Sequence, residues 1–171
     1  MKGGLLGSAV QGAGDTNADG HDDVIVGAPR NSAPNSLTAK SMKAAGTAAV
    51  YSGADGSVLF SMAGEAAGDL FGSAITGAGD LNGDGKADVA VGAYRHDPAN
   101  ALTNKKMKNA GAVYAYSGLD GSRLFKINGE AAGDMFGYSV AAGGDLDHSG
   151  HADLIAGAYR RDKINPLTGK W

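Results

Sequence analysis

Three acidic loops of nearly the same composition hold the residues of this chain that could do chemistry. They run over residues 15–23, 80–88 and 145–153, and each has oxygen-bearing side chains at loop positions 1, 3, 5 and 9 and glycine at position 6. A calcium ion needs six to eight oxygen ligands at about 2.3 to 2.6 Å, and a tightly curled loop of this kind supplies them, with position 7 adding its backbone carbonyl. The spacing therefore predicts three calcium sites.

The third predicted site departs from the other two because Ser149 stands at position 5, where a neutral hydroxyl replaces a carboxylate. We expect this site to bind calcium more weakly. His21, Lys86 and His151 occupy position 7 and are expected to contribute their backbone carbonyls only. The complete predicted ligand set is Asp15, Asn17, Asp19, His21 and Asp23; Asp80, Asn82, Asp84, Lys86 and Asp88; and Asp145, Asp147, Ser149, His151 and Asp153.

Two other kinds of loop are alternatives to a calcium site. A solvated turn favours Asp and Asn for its own hydrogen bonds, which would explain one such loop but not the same ligand ladder three times. An EF-hand carries Glu at position 12 and a helix on each side, whereas position 12 here is Val26, Val91 and Ala156. These loops are therefore not EF-hands.

The loops recur because the chain is an internal repeat with a period of 65 residues. Gly-Asp pairs at residues 14–15, 79–80 and 144–145 keep this spacing, and so does the six-residue segment 64–69, which recurs at 129–134. A fixed period of this kind is typical of repeat architectures. The chain divides into repeat 1 at about 6–70, repeat 2 at about 71–135 and a partial repeat 3 at about 136–171, or about 2.6 repeats.

Each full repeat predicts four β-strands, because its apolar runs are short, β-rich and bounded by turn residues. In the second repeat these runs are residues 71–77, 88–93, 112–117 and 122–127, with the acidic loop between the first two. A four-stranded antiparallel meander repeated in series is the blade of a β-propeller. We therefore predict an all-β chain of propeller blades, either a partial propeller or an oligomerising unit. A short capped helix is also expected over residues 36–45, with a counterpart that ends at Gly111.

These motifs resemble a known repeat family. The residues that carry the resemblance are Phe71-Gly72, the acidic loop at 80–88, Gly92-Ala93 and, in the first copy, Gly27-Ala28-Pro29. They are similar to the FG-GAP repeat of integrin α-subunit propellers and related bacterial surface proteins. The resemblance implies calcium in the loop between strands one and two, on the face opposite the usual ligand-binding surface. Leu6 replaces the expected Phe in the first copy, and Tyr94 and Tyr159 replace the proline.

Charge is distributed unevenly between the loops. Eleven of the 15 Lys and Arg residues lie in the long loops after the second strand of each repeat, and nine of the 18 acidic residues are predicted calcium ligands. The formal charge of −3 would become +3 with three calcium ions bound. Alternate loops of a meander emerge at opposite ends, so a basic end would remain exposed and favour an acidic protein or acidic glycan. Lysines that serve only solubility are the alternative. Nucleic acid is not expected, because aromatic residues are not interleaved with these lysines.

The sequence supplies no catalytic constellation. There are no cysteines, and His96 has no repeated serine or carboxylate partner that would suggest a triad. No apolar run approaches the roughly 18 residues needed to span a bilayer, and the repeat includes the N-terminal segment, so no signal peptide is expected in this chain. We expect an extracellular or cell-surface location.

Three functional hypotheses follow. The first is a calcium-binding adhesion or interaction module in which calcium stabilises the blades. The second is a self-assembling subunit of an oligomer or surface filament, since open blade edges seek partners. The third is a fragment of a propeller enzyme such as a polysaccharide lyase. The third is disfavoured, since an enzyme should break the repeat at one site and the copies stay similar throughout.

Overall fold

The computed structural model describes residues 5–35, 38 and 40–160, and the regular structure in them is β-strand. Two complete antiparallel sheets have the strand orders β1-β2-β5-β6 and β7-β8-β9-β10, and β11 pairs with β12. The strands are β1 Ala9–Gly14, β2 Asp23–Ala28, β3 Ala33–Pro34, β4 Ser41–Met42, β5 Thr47–Tyr51, β6 Val58–Ala63, β7 Ala74–Gly79, β8 Asp88–Ala93, β9 Ala112–Tyr116, β10 Arg123–Asn128, β11 Phe136–Gly144 and β12 Asp153–Ala158.

The four-stranded meander predicted for each full repeat is confirmed. We call the sheet β1-β2-β5-β6 blade 1, the sheet β7 to β10 blade 2 and the pair β11-β12 blade 3. The first strand of blade 2 begins at Ala74 rather than Phe71, because Phe71 instead forms a parallel bridge with Gly46 of blade 1. The blades are consistent with part of a β-propeller.

The helix predicted between residues 36 and 45 is wrong where the structure describes it. Strands β3 and β4 form a small hairpin there, while residues 36, 37 and 39 lie outside the described part. The hairpin forms because the Asn35 side-chain oxygen accepts hydrogen bonds from the backbone N and Oγ1 of Thr38, at 2.8 and 3.0 Å. Such local side-chain bonds compete with a helix. Asn100 and Thr103 repeat the arrangement in blade 2, and no helix precedes Gly111 there.

The core lies between blades 1 and 2. The face of blade 1 that packs on blade 2, its trailing face, contributes Ile25, Val50 and Met62. The opposing leading face of blade 2 contributes larger rings, and the Phe71 and Tyr114 ring centroids lie 5.2 Å apart in an edge-to-face contact. Because these side chains come from two sheets, burying them holds the blades together as well as stabilising each one.

Glycine is required where the backbone of one strand meets the turn that starts the next blade. A Cβ atom added to Gly27 would lie 2.2 Å from the backbone oxygen of Gly72, and one added to Gly92 would lie 2.1 Å from that of Gly137. These approaches are closer than any side chain allows. The glycines of the Phe-Gly and Gly-Ala motifs therefore permit blade stacking.

One face at each end of the stack is left uncovered by the residues that the structure describes. Leu6 is 70% exposed on the leading face of blade 1, whereas its repeat counterpart Phe71 is fully buried against blade 1. At the other end, Ile155 is 51% exposed on blade 3, whereas Ile25 at the same repeat position is fully buried against blade 2. Elsewhere in this chain, the faces that correspond to these two are packed against a neighbouring blade.

Candidate calcium loops

The three acidic loops lie at one end of the blades, which we call the calcium-loop end. Each joins the first two strands of its blade, and in blades 1 and 2 the turn between strands three and four packs against it. Gly53 N donates to Asp23 Oδ1 and Gly118 N donates to Asp88 Oδ1, each at 3.0 Å. These turns therefore share one end with the acidic loops, as alternate loops of a meander do.

The carboxylate at position 1 organises each loop in the same way. Its Oδ1 accepts the backbone N–H of position 5, from Asp19, Asp84 and Ser149, at 2.9 to 3.1 Å. Its Oδ2 accepts the N–H of the position 6 glycine at 2.8 to 3.0 Å in all three loops. That glycine has φ between 80° and 89°, a region that L side chains avoid. The chain thus curls around the carboxylate of Asp15, Asp80 or Asp145.

The side-chain oxygens at positions 3 and 5 continue the ladder. The position 3 oxygen of Asn17, Asn82 or Asp147 accepts the N–H of position 5 at 2.9 to 3.0 Å. The position 5 carboxylates accept the N–H of position 7, as in the 2.9 Å bond from Lys86 N to Asp84. In the third loop the corresponding bond to Ser149 Oγ is longer, 3.4 Å. The third loop therefore has the same backbone hydrogen-bonding pattern as the other two, but its bond from position 7 to the position 5 side chain is weaker.

Position 9 differs from the others because its carboxylate is buried in the first two loops. Asp23 and Asp88 are almost fully buried, and their Oδ2 atoms accept the N–H of position 2, from Thr16 at 3.0 Å and Leu81 at 2.8 Å. Burial raises the pKa of Asp88, and the charges of Asp80 and Asp84 add to this effect against two backbone hydrogen bonds. A bound cation would lower the electrostatic free energy of a buried, ionised carboxylate that has two other carboxylates nearby.

The donor set fits a hard divalent cation. Carboxylate oxygens of Asp145, Asp147 and Asp153 all lie within 4.8 Å of one another in the third loop. For Asp80, the cost of burial is outweighed by hydrogen bonds from backbone N–H groups, which hold the pKa of this carboxyl below its ordinary value. The second loop therefore presents an ionised carboxylate at neutral pH. In all three loops the available ligands are oxygens of the kind that calcium prefers.

Comparison with known proteins places the repeat in a family. A family model described as FG-GAP repeat matches residues 6–52 and 71–116, which together are more than half of the chain. The chain belongs to the FG-GAP repeat family. Both matched segments include an acidic loop, the strands on either side of it and the long loop that follows.

Similar FG-GAP segments occur in integrin alpha subunits. Integrin alpha-4 of Xenopus laevis is 31% identical over 175 residues, which cover 94% of this chain and 15% of that protein. Integrin alpha pat-2 of Caenorhabditis briggsae is 35% identical over 91% of this chain and 13% of its own length. Integrin alpha-PS2 of Drosophila melanogaster is 28% identical over 88% and 11%. The chain spans less than a sixth of these relatives.

Position 7 of each FG-GAP loop reaches toward the neighbouring loop where one precedes it. Lys86 Nζ lies 3.4 Å from the backbone oxygen of Asn17, so the loop of blade 2 contacts that of blade 1. The ring of His151 lies against Gly83 of blade 2. His21, in the first loop, is exposed. Lys86 and His151 therefore contact neighbouring loops as well as solvent.

The opposite end of the FG-GAP blades, which we call the long-loop end, is basic. Within the described part of the chain its lysines and arginines are all exposed and make no salt bridge with a described carboxylate; they are Arg30, Lys40, Lys43, Arg95, Lys105, Lys106, Lys108 and Arg160. Arg161, Lys163 and Lys170 lie outside the described residues. Positive charge is thus available to a partner at this end.

An aromatic cluster accompanies these charges at the long-loop end. The rings of Tyr138 and Tyr159 stack with centroids 4.7 Å apart, and Tyr94 meets Tyr138 edge to face at 5.2 Å. Tyr138 is 48% exposed and Tyr159 is 64% exposed, while the Arg95 guanidinium lies 5.8 Å from the centre of the Tyr94 ring. Exposed tyrosine and arginine are enriched at protein interfaces.

Sequence reasoning missed a charged cluster around His96. His96 is buried, and its Nδ1 lies 2.9 Å from Asp69 Oδ2 while Lys126 Nζ lies 2.9 Å from its Nε2. Glu65 in turn pairs with Lys126 at 2.6 Å and with Arg123 at 2.5 Å. The expectation that His96 lacks a carboxylate partner is therefore wrong. Asp69 recurs as Asp134, but nothing in the sequence pairs it with His96, whose counterpart is Arg161.

None of the described segments forms a helix with the length and apolar character needed to cross a membrane.

Proposed function

We propose that this chain is a calcium-stabilised FG-GAP module of adhesion type that binds a protein or an acidic glycan at its long-loop end. The observation that carries the calcium part is the repeated geometry of the three loops. In each loop the same backbone N–H groups orient the same carboxylate and amide or hydroxyl oxygens. Ordinary turns do not need to repeat a complete ligand set, whereas a cation site does.

Each ligand has a distinct part in the proposed sites. The position 1 carboxylate and the oxygens at positions 3 and 5 would bind the ion from the curled part of the loop. The carbonyl of His21, Lys86 or His151 would bind it from the loop's exit, and the position 9 carboxylate would bind it from the base of the second strand. A bound divalent cation offsets the repulsion among the loop carboxylates.

The expected stabilisation is large relative to the stability of one domain. With a dissociation constant of about 0.1 mM and about 1 mM free calcium, each site would contribute roughly 1.4 kcal/mol, or about 4 kcal/mol for three. Domains are commonly stable by only about 5 to 15 kcal/mol. Weak sites of this kind fill where calcium is abundant, so an extracellular or cell-surface location fits the proposal.

Calorimetric calcium titration tests the metal sites. We expect close to three ions per chain for the native sequence and one fewer for Asp80→Asn/Asp84→Asn, which removes carboxylates from the second loop. Asp120→Asn is the matched control. The Asp120 carboxylate accepts a hydrogen bond from Ser122 N in a turn at the same end, but it belongs to none of the three acidic loops. Absence of binding to the native chain, or an equal loss in Asp120→Asn, would contradict the assignment.

The contact surface is proposed from charge and aromatic exposure at the long-loop end. Eight described basic side chains there have no salt-bridge partner among the described residues, and two of three clustered tyrosines are about half or more exposed. Binding calcium would neutralise negative charge at the opposite end. The positive charge of the long-loop end would then dominate the electrostatic field of the molecule. A carboxylated or sulfated glycan, or an acidic protein, complements it.

Retention on immobilised sulfated glycan tests this surface. Lys105→Ser/Lys106→Ser removes two charges from the long-loop end and should lower the salt concentration needed for elution. Ala54→Glu/Ser61→Glu lowers the net charge equally, but at exposed positions of blade 1 away from that end. If both variants elute alike, the interaction follows net charge and the proposed surface is wrong.

A second candidate function is self-assembly. It is favoured by the two uncovered faces marked by Leu6 and Ile155, whose repeat counterparts are buried against neighbouring blades. Blade 3 of one copy and blade 1 of another would then associate head to tail. Light scattering in 2 mM calcium tests this: a polymer or ring that dissociates with chelator supports assembly, and a compact monomer excludes it. We assign no catalytic step to the chain.

A further inference from the structure

The calcium loops of adjacent blades are joined by a repeated backbone hydrogen bond. Ala87 N, at position 8 of the second loop, donates to the backbone oxygen of Asp15, at position 1 of the first loop, over 3.2 Å. Ala152 N, at position 8 of the third loop, donates to the backbone oxygen of Asp80 over 2.8 Å. Both junctions therefore connect the last turn of one loop to the first ligand residue of the preceding loop.

This bond shares a peptide group with a proposed calcium ligand. The N–H of Ala87 and the carbonyl of Lys86 belong to one planar peptide unit, and the same holds for Ala152 and His151. The carbonyl is the position 7 ligand of its own loop, while the N–H holds the preceding loop. A carbonyl that coordinates a cation withdraws electrons from its N–H, and linked hydrogen bonds strengthen one another in this way.

The side chains at position 7 reinforce the connection. Lys86 Nζ lies 3.4 Å from the backbone oxygen of Asn17, the position 3 residue of the preceding loop. His151 packs so closely on Gly83 that a Cβ there would lie 2.5 Å from the ring carbon Cε1. Position 4 itself tolerates a side chain, since Ala18 and His148 occupy it with φ of 60°. The glycine at 83 therefore suits the positive φ of its own turn and also leaves room for the ring of His151 from the neighbouring loop.

We propose that the three calcium loops bind their ions with positive nearest-neighbour coupling, transmitted through the position 7 to 8 peptide. This inference rests on the proposed calcium sites. When one loop has bound its ion, its position 7 to 8 peptide is held in place. Through its N–H, this peptide then holds the position 1 residue of the preceding loop, even before the preceding loop has bound an ion. Coupling then follows the order of the blades: loop 2 is coupled to loops 1 and 3, whereas loops 1 and 3 are not coupled directly.

Amide NMR during a calcium titration can follow each loop separately. Gly20, Gly85 and Gly150 each donate to the position 1 carboxylate of their own loop, so their amide shifts report that loop. In Asp80→Asn/Asp84→Asn we expect the midpoints for Gly20 and Gly150 to rise about fivefold, the scale of one hydrogen bond. In Asp145→Asn/Asp147→Asn the midpoint for Gly85 should rise, and that for Gly20 should rise much less, because loop 3 affects loop 1 only through the occupancy of loop 2.

Two further results separate this inference from the proposed function. If the glycine amides of the native chain respond to calcium but each midpoint is unchanged or lowered when a neighbouring loop is disabled, the sites exist and the coupling is refuted. Lowered midpoints would mean that repulsion between neighbouring ions dominates. If no glycine amide responds in the native chain, both proposals fail. Lys86→Gln, which keeps the backbone ligand, should raise the Gly20 midpoint less than the loop 2 double variant does. A larger rise would refute transmission through the peptide.

Discussion

One repeat position gives a matched pair of glycines that tests blade packing directly. Gly77 lies in the first strand of blade 2, and a Cβ there would be 2.6 Å from the backbone oxygen of Gly12 and 2.8 Å from Ala13 Cα. Gly12 is the same position of blade 1, and a Cβ there meets no atom within 4 Å. The two glycines therefore differ in whether another blade precedes them.

The expected costs follow from these distances. In Gly77→Ala the new methyl meets backbone atoms on a neighbouring sheet, which cannot rotate away as a side chain can, so the two strands must move apart locally. Overpacking of this kind costs about 2 to 3 kcal/mol. In Gly12→Ala the methyl enters open space in an ordinary strand conformation, so stability should be unchanged or higher by about 0.5 kcal/mol.

Urea unfolding followed by circular dichroism, in saturating calcium, measures both variants against the native chain. A dilution series accompanies it, because head-to-tail association would cover Gly12. Equal stability of Gly77→Ala and the native chain would refute the packing of blade 2 on blade 1. A cost at Gly12 that disappears on dilution would instead indicate a second copy on the leading face of blade 1.

Three other outcomes are expected. Tyr114→Phe should raise the free energy of unfolding by about 1 to 2 kcal/mol in the same assay, because the Tyr114 hydroxyl is buried with no hydrogen-bond partner among the described residues; a loss would indicate that this hydroxyl has a partner. Burial raises the pKa of Glu65, but hydrogen bonds from Lys126 and Arg123 and the charge of Lys126 outweigh it and hold the pKa below its ordinary value. The resulting stability is present above the pKa of the unfolded chain and is lost as the pH falls through the folded pKa. Glu65→Gln should therefore flatten the acid limb of a stability-against-pH curve, and an unchanged limb would contradict the pairing. Ser149→Asp should tighten calcium binding at the third loop several-fold in calorimetry, since it restores the position 5 carboxylate; an unchanged affinity would mean that position 5 does not ligate.

The sequence was sufficient for features whose signals are local and repeated. Strand positions follow from short apolar runs, and the loops from oxygen side chains at fixed spacing, so the meander and its register along the chain could be predicted. The hairpin of β3 and β4 could not be predicted from apolar pattern. It depends on one asparagine side chain that closes a turn, and the recurrence of Asn35 as Asn100 three residues before a threonine was the available signal.

The cluster at His96 and the contacts between loops lay beyond the sequence for another reason. His96 lies 27 residues after Asp69 and 30 residues before Lys126. Only the stacking of blade 2 against the preceding linker brings the three side chains together. The bond from Ala87 to Asp15 likewise depends on how two sheets rotate against each other. A repeat period fixes what is alike in each blade, but contacts between blades require the geometry of the stack.

Backbone contacts join the blades at both ends, and this explains why the functional side chains can vary. At the long-loop end Phe71 N donates to Ala45 O and Phe136 N donates to Ala110 O, each at 2.9 Å. At the calcium-loop end the Ala87 and Ala152 amides make the corresponding links. The segments after β2 and β8 take part in these junctions through their backbone carbonyls, so the joining bonds do not depend on which exposed side chains those segments carry. The exposed lysines and arginines of these segments can therefore change without loosening the blades, which leaves room for the proposed contact surface on an otherwise repetitive frame.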